Sequence, residues 1–320
     1  MTASAFDPDS YERGRKYSLD LEVPNHPEIT IPVLLVRGAN AGARLVVSAA
    51  VHGDEFEGVR AIFEVVEQID PAEMSGDLLA APVANPPAFW AGTRTSPLDG
   101  ANLARVFPGS RDGGPTPAIA HTLAEGLISK ADFYLDLHSA GVACLMPTMA
   151  GYSANDPRGR DAAECFGATV IWGHPDVAPG RTISFAHERG IPWLYTEARG
   201  GGRIHPEDLQ TFRQGVLNLM RHLNILPGKI AAQTPIRHRL LGDGNIEAGL
   251  TCGVEGFFLS AVDLLDTVTK GQELGRTVNL HGETIETFRA TDAGVVALIR
   301  QYAVVKPGDA MFVVTGAEEP

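Results

Sequence analysis

The sequence predicts an α/β protein, namely a three-layer α/β/α domain with a mixed sheet, followed by a small C-terminal β domain. Two observations lead to this fold class. Along residues 1–230, apolar and partly β-branched runs alternate with segments whose apolar residues have helical spacing, and this alternation is typical of a sheet covered on both faces. Residues 231–320 consist instead of short β-rich runs separated by turn glycines, which predicts the small β domain.

The elements of the large domain can be predicted in order. Residues 17–38 are expected to form a hairpin and residues 45–51 a buried strand, after which an amphipathic helix begins near residue 54 or 55. Further strands are predicted at 76–84, 131–138, 168–172 and in the apolar run that reaches Glu197, and further helices at 118–129, 156–166, 182–188 and 206–226. Residues 226–234 are expected to link the two domains.

Composition and charge restrict the class of protein. The chain has 320 residues, of which 44% are hydrophobic and 20% charged, as is typical of a globular protein with ample core. The formal net charge of −13 argues against binding to nucleic acid or to an anionic membrane, because both need a basic surface. No apolar run reaches the roughly 18 residues of a membrane span. The sparse cysteines and the lack of a signal-peptide pattern lead us to expect a cytoplasmic protein.

The turn after the first buried strand carries His52 and Glu55. His52 lies at the carboxyl end of the strand, where open α/β sheets bind ligands, and Glu55 is expected in the first turn of the helix. An imidazole and a carboxylate separated by the flexible Gly53 can bind one divalent ion, for which zinc is the usual choice. Alone this pair is a weak signal, because a histidine followed by a helix-capping acid also occurs by chance.

Two further apolar runs end in polar residues at the same predicted edge of the sheet. The run ADFYLDLH ends at His138, and Asp136 lies on the same face of that strand, where a carboxylate can orient the imidazole. The run GIPWLYTE ends at Glu197 and is followed by flexible glycines. These strands are therefore expected to bring His138 and Glu197 to the turn that carries His52.

These motifs resemble those of the zinc carboxypeptidase superfamily, and more closely those of its succinylglutamate desuccinylase and aspartoacylase branch. HGDE at 52–55, DLH at 136–138 and TE at 196–197 match the ligand and catalytic motifs of that branch in the right order. Arg94 with DGANLARVFPG at 99–109 resembles its substrate-binding segment. The resemblance covers about residues 30–225.

The resemblance implies a carboxypeptidase-like fold and one zinc ion per chain, held by His52, Glu55 and His138. It also implies that Glu197 is the catalytic general base and that Arg105 binds a substrate carboxylate. In the mechanism that we expect, Arg94 stabilises the oxyanion together with the metal. The expected reaction removes an acyl group from an N-acyl amino acid or a related small N-acyl amine. The expected partner is therefore a small, carboxylate-bearing molecule.

One position departs from the pattern of the branch. Ala104 precedes Arg105 where the family usually has an asparagine that helps the arginine to hold a carboxylate. This departure leaves the substrate class open. Asn102 is a candidate to compensate as a substrate-binding residue, although its alternation with Ala104 does not establish a shared target.

The two arginines lie in a long irregular segment, residues 85–115. Loops of this length inside a compact domain are usually functional or disordered, and the aromatic and arginine residues here favour a lid or binding loop. The alternative is that Arg94, Arg105 or both pair with structural acids such as Asp99. His174 and His187, further along the chain, lie in polar context and are expected to be surface or loop histidines.

Other functions stay open. One is a metallocarboxypeptidase that cleaves peptide C-termini, and another is a non-catalytic binding module that has kept the zinc fold. Retention of Glu197 argues against the module, because a structural zinc site needs no general base. The C-terminal domain resembles a half-barrel of the biotinyl and lipoyl type, but Lys270 and Lys306 lack the flanking methionines and are expected to be turn residues. Self-association through this domain is also an open expectation.

Overall fold

The computed structural model describes residues 1–2, 5–231, 234–245 and 248–318. The helices in these ranges are α1 (Glu57–Gln68), α2 (Pro86–Ala91), α3 (Pro115–Gly126), α4 (Pro157–Phe166), α5 (Thr182–Glu188) and α6 (Pro206–His222). None of the helices in the described ranges is both long and apolar enough to cross a membrane. The predicted linker at 226–234 includes residues 232–233, which lie outside the described residues.

The strands fall into an N-terminal and a C-terminal series. The first series is β1 (Arg15–Val23), β2 (His26–Arg37), β3 (Asn40–Ala49), β4 (Ser75–Ala81), β5 (Phe133–Ser139), β6 (Cys144–Leu145), β7 (Met149–Ser153), β8 (Val170–His174) and β9 (Trp193–Ala198). The second series is β10 (His238–Leu241), β11 (Leu250–Thr251), β12 (Gly256–Ser260), β13 (Thr267–Val268), β14 (Glu273–Val278), β15 (Thr284–Arg289), β16 (Gly294–Arg300), β17 (Val304–Val305) and β18 (Ala310–Ala317).

A 14-stranded mixed sheet runs through the molecule. Its strand order is β1-β2-β4-β3-β5-β9-β7-β8-β10-β18-β16-β13, with β6 paired to β16 and β11 to β18. In the centre, β4, β3, β5 and β9 are parallel, so that their carboxyl ends share one edge. Strands β1 and β2 form the predicted antiparallel hairpin at one side. The predicted mixed sheet is confirmed.

Helices cover both faces of the central strands. Leu45 and Val47 of β3 belong to a core shared with α1, α4 and α6, whereas Val46 between them belongs to a core shared with α3 and α5. Because successive side chains of a strand point to opposite faces, these two cores lie on opposite sides of the sheet. The predicted α/β/α layering is therefore confirmed.

The C-terminal part of the chain extends the large sheet and also forms a small sheet of its own. Strand β10 pairs in parallel with β8, and β18 pairs with β10. Strands β15, β14, β12 and β17 form a separate four-stranded antiparallel sheet, next to a core that includes Phe258, Phe288 and Phe312. A small C-terminal β unit is thus confirmed, and the division of the chain between residues 230 and 231 stays a prediction.

The outer face of the small sheet carries exposed apolar side chains. Phe257 and Val304 are directly paired on neighbouring strands, and they are 45% and 50% exposed. Phe258, the residue that follows Phe257 on the same strand, points the other way, into the core. Formation of a homo-oligomer through this face stays a prediction.

Helix α1 packs closely on β3 and β5 because its second residue is a glycine. A Cβ atom at Gly58 would lie 2.6 Å from Cβ of Leu137 and 2.9 Å from Cβ of Ala49. No side chain larger than hydrogen fits this approach without a shift of the helix or the strands. The contact therefore fixes α1 directly behind the sheet edge that carries the predicted site.

We expect Gly58→Ala to lower the free energy of unfolding by about 1–3 kcal/mol, because the added methyl group overpacks this contact. Gly159 is the matched control, since it also lies in the first three residues of a helix, and a Cβ atom there would meet no atom closer than 3.4 Å. Gly159→Ala is expected to be neutral or to stabilise the protein by up to about 1 kcal/mol. Denaturant unfolding measures both, and equal stabilities would contradict the close packing.

Candidate active site

The carboxyl edge of the parallel strands brings the predicted site residues together. His138 on β5 and Glu197 on β9 are directly paired in the parallel register. His52 follows β3, whose end is turned by Ala50 in a left-handed conformation with φ of 50°. This conformation is unfavourable for a residue with a Cβ atom. Asn85 holds the turn, because its backbone and side-chain amides donate to carbonyl groups of the turn.

Glu55 lies at the centre of the site. Its Oε1 is 2.8 Å from Nδ1 of His52, and its Oε2 is 2.9 Å from Nδ1 of His138. The backbone N–H of Ser139 also donates to Oε2, at 3.1 Å. Helix α1 begins only at Glu57, so Glu55 precedes the helix instead of lying in its first turn as predicted. The contacts with the two histidines hold the chain at Glu55 outside the helix.

Both histidines turn Nδ1 toward Glu55 because their Nε2 atoms have other partners. Nε2 of His52 lies 3.2 Å from Oδ1 of Asn102, and Nε2 of His138 lies 2.9 Å from Oδ2 of Asp136. The N–H of Ala104 donates to the same Oδ1, which fixes the orientation of the Asn102 amide. Amide and carboxylate oxygens accept, so each Nε2 donates and each Nδ1 is available as a ligand.

The three side chains fit a metal ion. One ligand atom each from His52, Glu55 and His138 lies within 4.8 Å of the other two. Two imidazole nitrogens and a carboxylate are the donor set that suits zinc, and catalytic zinc sites use three protein ligands. The acceptors behind both histidines supply the orienting contacts that metal-binding histidines need.

Asp136 is wholly buried and is held by hydroxyl groups on two sides. Oγ of Ser48 donates to Oδ1 of Asp136 at 2.6 Å, and the hydroxyl of Tyr134 lies 2.6 Å from Ser48 Oγ. Thr182 donates to Oδ2, the oxygen that also faces His138. These contacts fix the carboxylate that orients the imidazole, as the sequence predicted.

The cluster shifts the pKa values of its members in opposite directions. Burial, assisted by the Arg94 guanidinium, lowers the pKa of His52 to about 4. Although burial opposes it, the carboxylates of Asp136 and Glu55 hold the pKa of His138 well above its usual value. Burial, with the charge of Glu55 adding to it, raises the pKa of Glu197 to about 8. A carboxyl group with such a pKa can hold a proton near neutral pH.

Glu197 faces the pocket with an unsatisfied oxygen. The residue is 8% exposed, and within the described part of the chain its Oε2 makes no hydrogen bond. It lines the same pocket as His52 and His138. A buried polar atom without a partner is costly to a fold, so this oxygen is available to a water molecule or a substrate.

The two predicted arginines also line this pocket. Nη1 of Arg94 lies 3.4 Å from Oε1 of Glu55, and this side chain is half-exposed. Nη1 of Arg105 donates to the carbonyl of Ala104 at 2.8 Å. The carboxylate of Asp99 accepts hydrogen bonds from Thr116. The acidic partner of Arg94 is thus Glu55 and not Asp99, which the sequence analysis had named as an alternative.

The sequence analysis missed His174, Arg181 and Tyr195, which line the pocket as well. His174 was expected at the surface or in a loop, and this was wrong, because it is a buried residue at the end of β8. His187 is exposed as predicted. The predicted strand stopped at residue 172, two residues short. The longer strand would have shown the same pattern as β5, an apolar run that ends in a histidine.

Comparison with known proteins places this chain among the hydrolases of the deacylase class. The sequence model of the succinylglutamate desuccinylase/aspartoacylase catalytic domain matches residues 41–223. That range contains every residue of the site described above. The chain belongs to the succinylglutamate desuccinylase/aspartoacylase family, as the sequence motifs predicted.

Individual relatives match nearly the whole chain. The Nα-acetyl-L-2,4-diaminobutyric acid deacetylase of Halomonas elongata is 31% identical over 303 residues, which cover 91% of this chain and 87% of that protein. The crystal structure of a succinylglutamate desuccinylase from Silicibacter sp. TM1040 matches with a TM-score of 0.86 and 28% identity over 98% of both chains. The product-bound ectoine utilization protein EutE (DoeB) of Ruegeria pomeroyi matches with a TM-score of 0.85 and 28% identity, covering 95% of this chain and 96% of that one.

We expect Asp136→Asn to weaken zinc binding about 10- to 100-fold, because the neutral amide orients His138 less firmly. Competition with a chromogenic chelator measures the affinity. Asp161→Asn is the control, since it removes the same charge from an exposed position on α4. An unchanged affinity in Asp136→Asn would show that the carboxylate does not support the metal site.

Proposed function

We propose that this chain is a zinc-dependent deacylase that hydrolyses the amide bond of small N-acyl amino acids. The observation that carries the proposal is the convergence of His52, Glu55 and His138 beside Glu197, whose Oε2 has no hydrogen-bond partner within the described residues. Three ligands and an acid–base group in one pocket are the parts of a catalytic metal centre. A structural zinc site needs no general base such as Glu197, and this argues against a non-catalytic binding module.

The ligands and the base divide the chemistry between them. His52, Glu55 and His138 would hold one zinc ion, which when bound polarises the acyl carbonyl and lowers the pKa of a water molecule. Glu197 accepts a proton from the attacking water and delivers it to the amide nitrogen as the carbon–nitrogen bond breaks. The raised pKa of Glu197 suits both steps, because the group can take up a proton and return it near neutral pH.

The arginines act on the charges of the substrate. Arg94 lies beside the Glu55 carboxylate and is proposed to stabilise the negative charge that develops on the carbonyl oxygen. Arg105 is proposed to bind the substrate carboxylate, for which a planar guanidinium is well suited. Oδ1 of Asn102 is engaged by His52 and Ala104, so a contact of Asn102 with substrate would use its amino group.

The substrate class follows from the relatives and from the charges of the pocket. The Halomonas relative deacetylates Nα-acetyl-L-2,4-diaminobutyric acid, and we extend the class of N-acyl diamino acids to this chain. Guanidinium groups in the pocket match the carboxylate of such a substrate. We expect the enzyme to work in the cytoplasm, where its three free cysteines stay reduced.

We expect Glu197→Gln to lower kcat by about 10²- to 10⁴-fold while the zinc content stays near one ion per chain, because only the proton-transfer group is lost. Elemental analysis gives the metal content, and amine release from a panel of N-acyl amino acids and short peptides gives the activity. His138→Ala is the matched control and should lose the metal as well. Full turnover in Glu197→Gln would exclude it as the general base, and release from peptides alone would favour a carboxypeptidase.

We expect Arg105→Ala to raise KM for N-acyl amino acids about 10- to 100-fold, since a hydrogen bond to a charged group is lost. Neutral N-acyl amines without a carboxylate should be affected much less. Arg111→Ala, an exposed arginine of the neighbouring loop, controls for the loss of positive charge. Equal effects on charged and neutral amides would point to a structural arginine.

A further inference from the structure

A short chain of hydrogen bonds fixes the hydroxyl of Tyr195 in the pocket. Nδ1 of His174 lies 2.7 Å from the carbonyl oxygen of Gly242, and Nε2 lies 2.8 Å from the hydroxyl of Tyr195. A carbonyl oxygen accepts, so Nδ1 carries a proton. His174 is 3% exposed, and burial lowers its pKa to about 4. The ring is therefore neutral, and its Nε2 accepts a hydrogen bond from Tyr195.

This arrangement leaves Tyr195 with only acceptor capacity toward the pocket. A phenol has one proton, and Tyr195 donates that proton to His174. Burial, with the charge of Glu197 adding to it, raises the pKa of Tyr195 above its usual value, so the group stays protonated. The phenolic oxygen thus offers lone pairs to a bound molecule and no donor.

The surrounding chain leaves room for these rings at two glycines. Gly151 on β7 is directly paired with Tyr195, and a Cβ atom there would lie 2.0 Å from the tyrosine ring. A Cβ atom at Gly244 would lie 2.5 Å from Cε1 of His174. The centroid of the His174 ring lies 5.4 Å from that of Tyr195 and 5.3 Å from that of Trp172. Packing therefore holds both rings in place.

Tyr195 is close to the proposed chemistry. It lies two residues before Glu197 on β9, so both side chains point to the same face with their Cα atoms about 7 Å apart. Both line the same pocket. The atoms from the amide nitrogen to the terminal amine of 2,4-diaminobutyrate extend about 5 Å. A substrate whose amide lies at Glu197 would therefore extend its side-chain amine along the pocket that Tyr195 also lines.

The charged groups near His174 favour a positively charged ligand group. Asp176 and Asp243 line the same pocket, and Asp243 acts electrostatically on His174. Arg181 also lines the pocket and acts electrostatically on His174 and Tyr195. Arg94 and Arg105 line the pocket as well, but the charges that act on His174 are those of Arg181 and Asp243, and the acceptor-only oxygen of Tyr195 adds to the Asp243 carboxylate. An ammonium group meets this set of acceptors best.

We propose that the phenolic oxygen of Tyr195 accepts a hydrogen bond from the free ammonium group of an N-acyl diamino acid, and that His174 positions it for this role. The inference rests on the deacylase function proposed above and adds a specificity-determining residue to it. Gly242 contributes through its carbonyl, so the C-terminal segment takes part in the recognition of the amine.

Two substrates of the same shape test the proposal. Nα-acetyl-L-2,4-diaminobutyrate ends in an amine, and N-acetyl-L-norvaline has a side chain of the same length that ends in a methyl group. Tyr195→Phe is expected to raise KM for the diamino substrate about 10- to 100-fold relative to the norvaline substrate, with a smaller change in kcat. Equal losses on both substrates would overturn the proposal, because Tyr195 would then act on the part that they share.

The positioning role of His174 is tested by rescue. His174→Phe removes the acceptor of the tyrosine proton. It is expected to raise the ratio of KM for the diamino substrate to KM for the norvaline substrate several-fold. His174→Gln carries an amide that can donate to Gly242 and accept from Tyr195, and it is expected to restore the ratio. A histidine with a structural role alone would lower stability in His174→Phe and leave the ratio of the two substrates unchanged.

Calorimetric binding of the free amino acids separates this inference from the proposed function. One outcome is that neither amide is hydrolysed, but L-2,4-diaminobutyrate binds more tightly than L-norvaline and Tyr195→Phe removes this preference. This outcome would support the amine-binding role of Tyr195 and contradict the deacylase function. If both amides are hydrolysed and no preference is seen in turnover or binding, the amine site is overturned and the deacylase function stands. Neither turnover nor selective binding would overturn both.

Discussion

Burial of the Glu55 carboxylate is the constraint on which the rest of the site depends. Removing an ionised carboxylate from water costs several kcal/mol unless other polar groups replace the water. Glu55 is 2% exposed, and its two oxygens meet two different histidines, His52 and His138. One histidine follows β3 and the other lies on β5, so satisfying a single carboxylate also fixes the turn after β3 against the neighbouring strand. The same contacts assemble the donor set for a metal ion.

The contacts of Glu55 with the two histidines in turn require hydrogen-bond partners for the other nitrogen of each ring. Each imidazole that turns Nδ1 inward must place Nε2 against an acceptor, and these acceptors are Asn102 and Asp136. Asn102 belongs to the long loop, which explains how an irregular segment can contribute to a rigid site. Asp136 in turn depends on hydroxyl groups of Ser48 and Thr182. The site is therefore a connected polar network in which each member is held by the next.

The sequence predicted the central strands, their helices and the residues of the His52, Glu55 and His138 cluster because these features are local. A buried run that ends in a histidine, followed by a helical pattern, can be recognised from spacing alone. The position of Glu55 before α1 was not predictable in this way, since it depends on His138, which lies 83 residues away in the chain. The burial of His174 depends on β8 being covered by β10 and by Gly242, again a contact distant in sequence. Local patterns predict elements, and long-range contacts decide which polar residues are buried.

The C-terminal region is part of the framework of the pocket as well as a neighbour of it. Strand β10 pairs with β8 along residues 170–173, and the segment after β10 places the Gly242 carbonyl against His174. Removing this region would expose the edge of β8 and leave a buried imidazole nitrogen without its acceptor. A truncated chain would therefore lose the acceptor that holds the His174 ring and, through it, the Tyr195 hydroxyl. Point substitutions at His174 and Tyr195 test this contact by itself, because the strand pairing of the C-terminal region does not depend on these side chains.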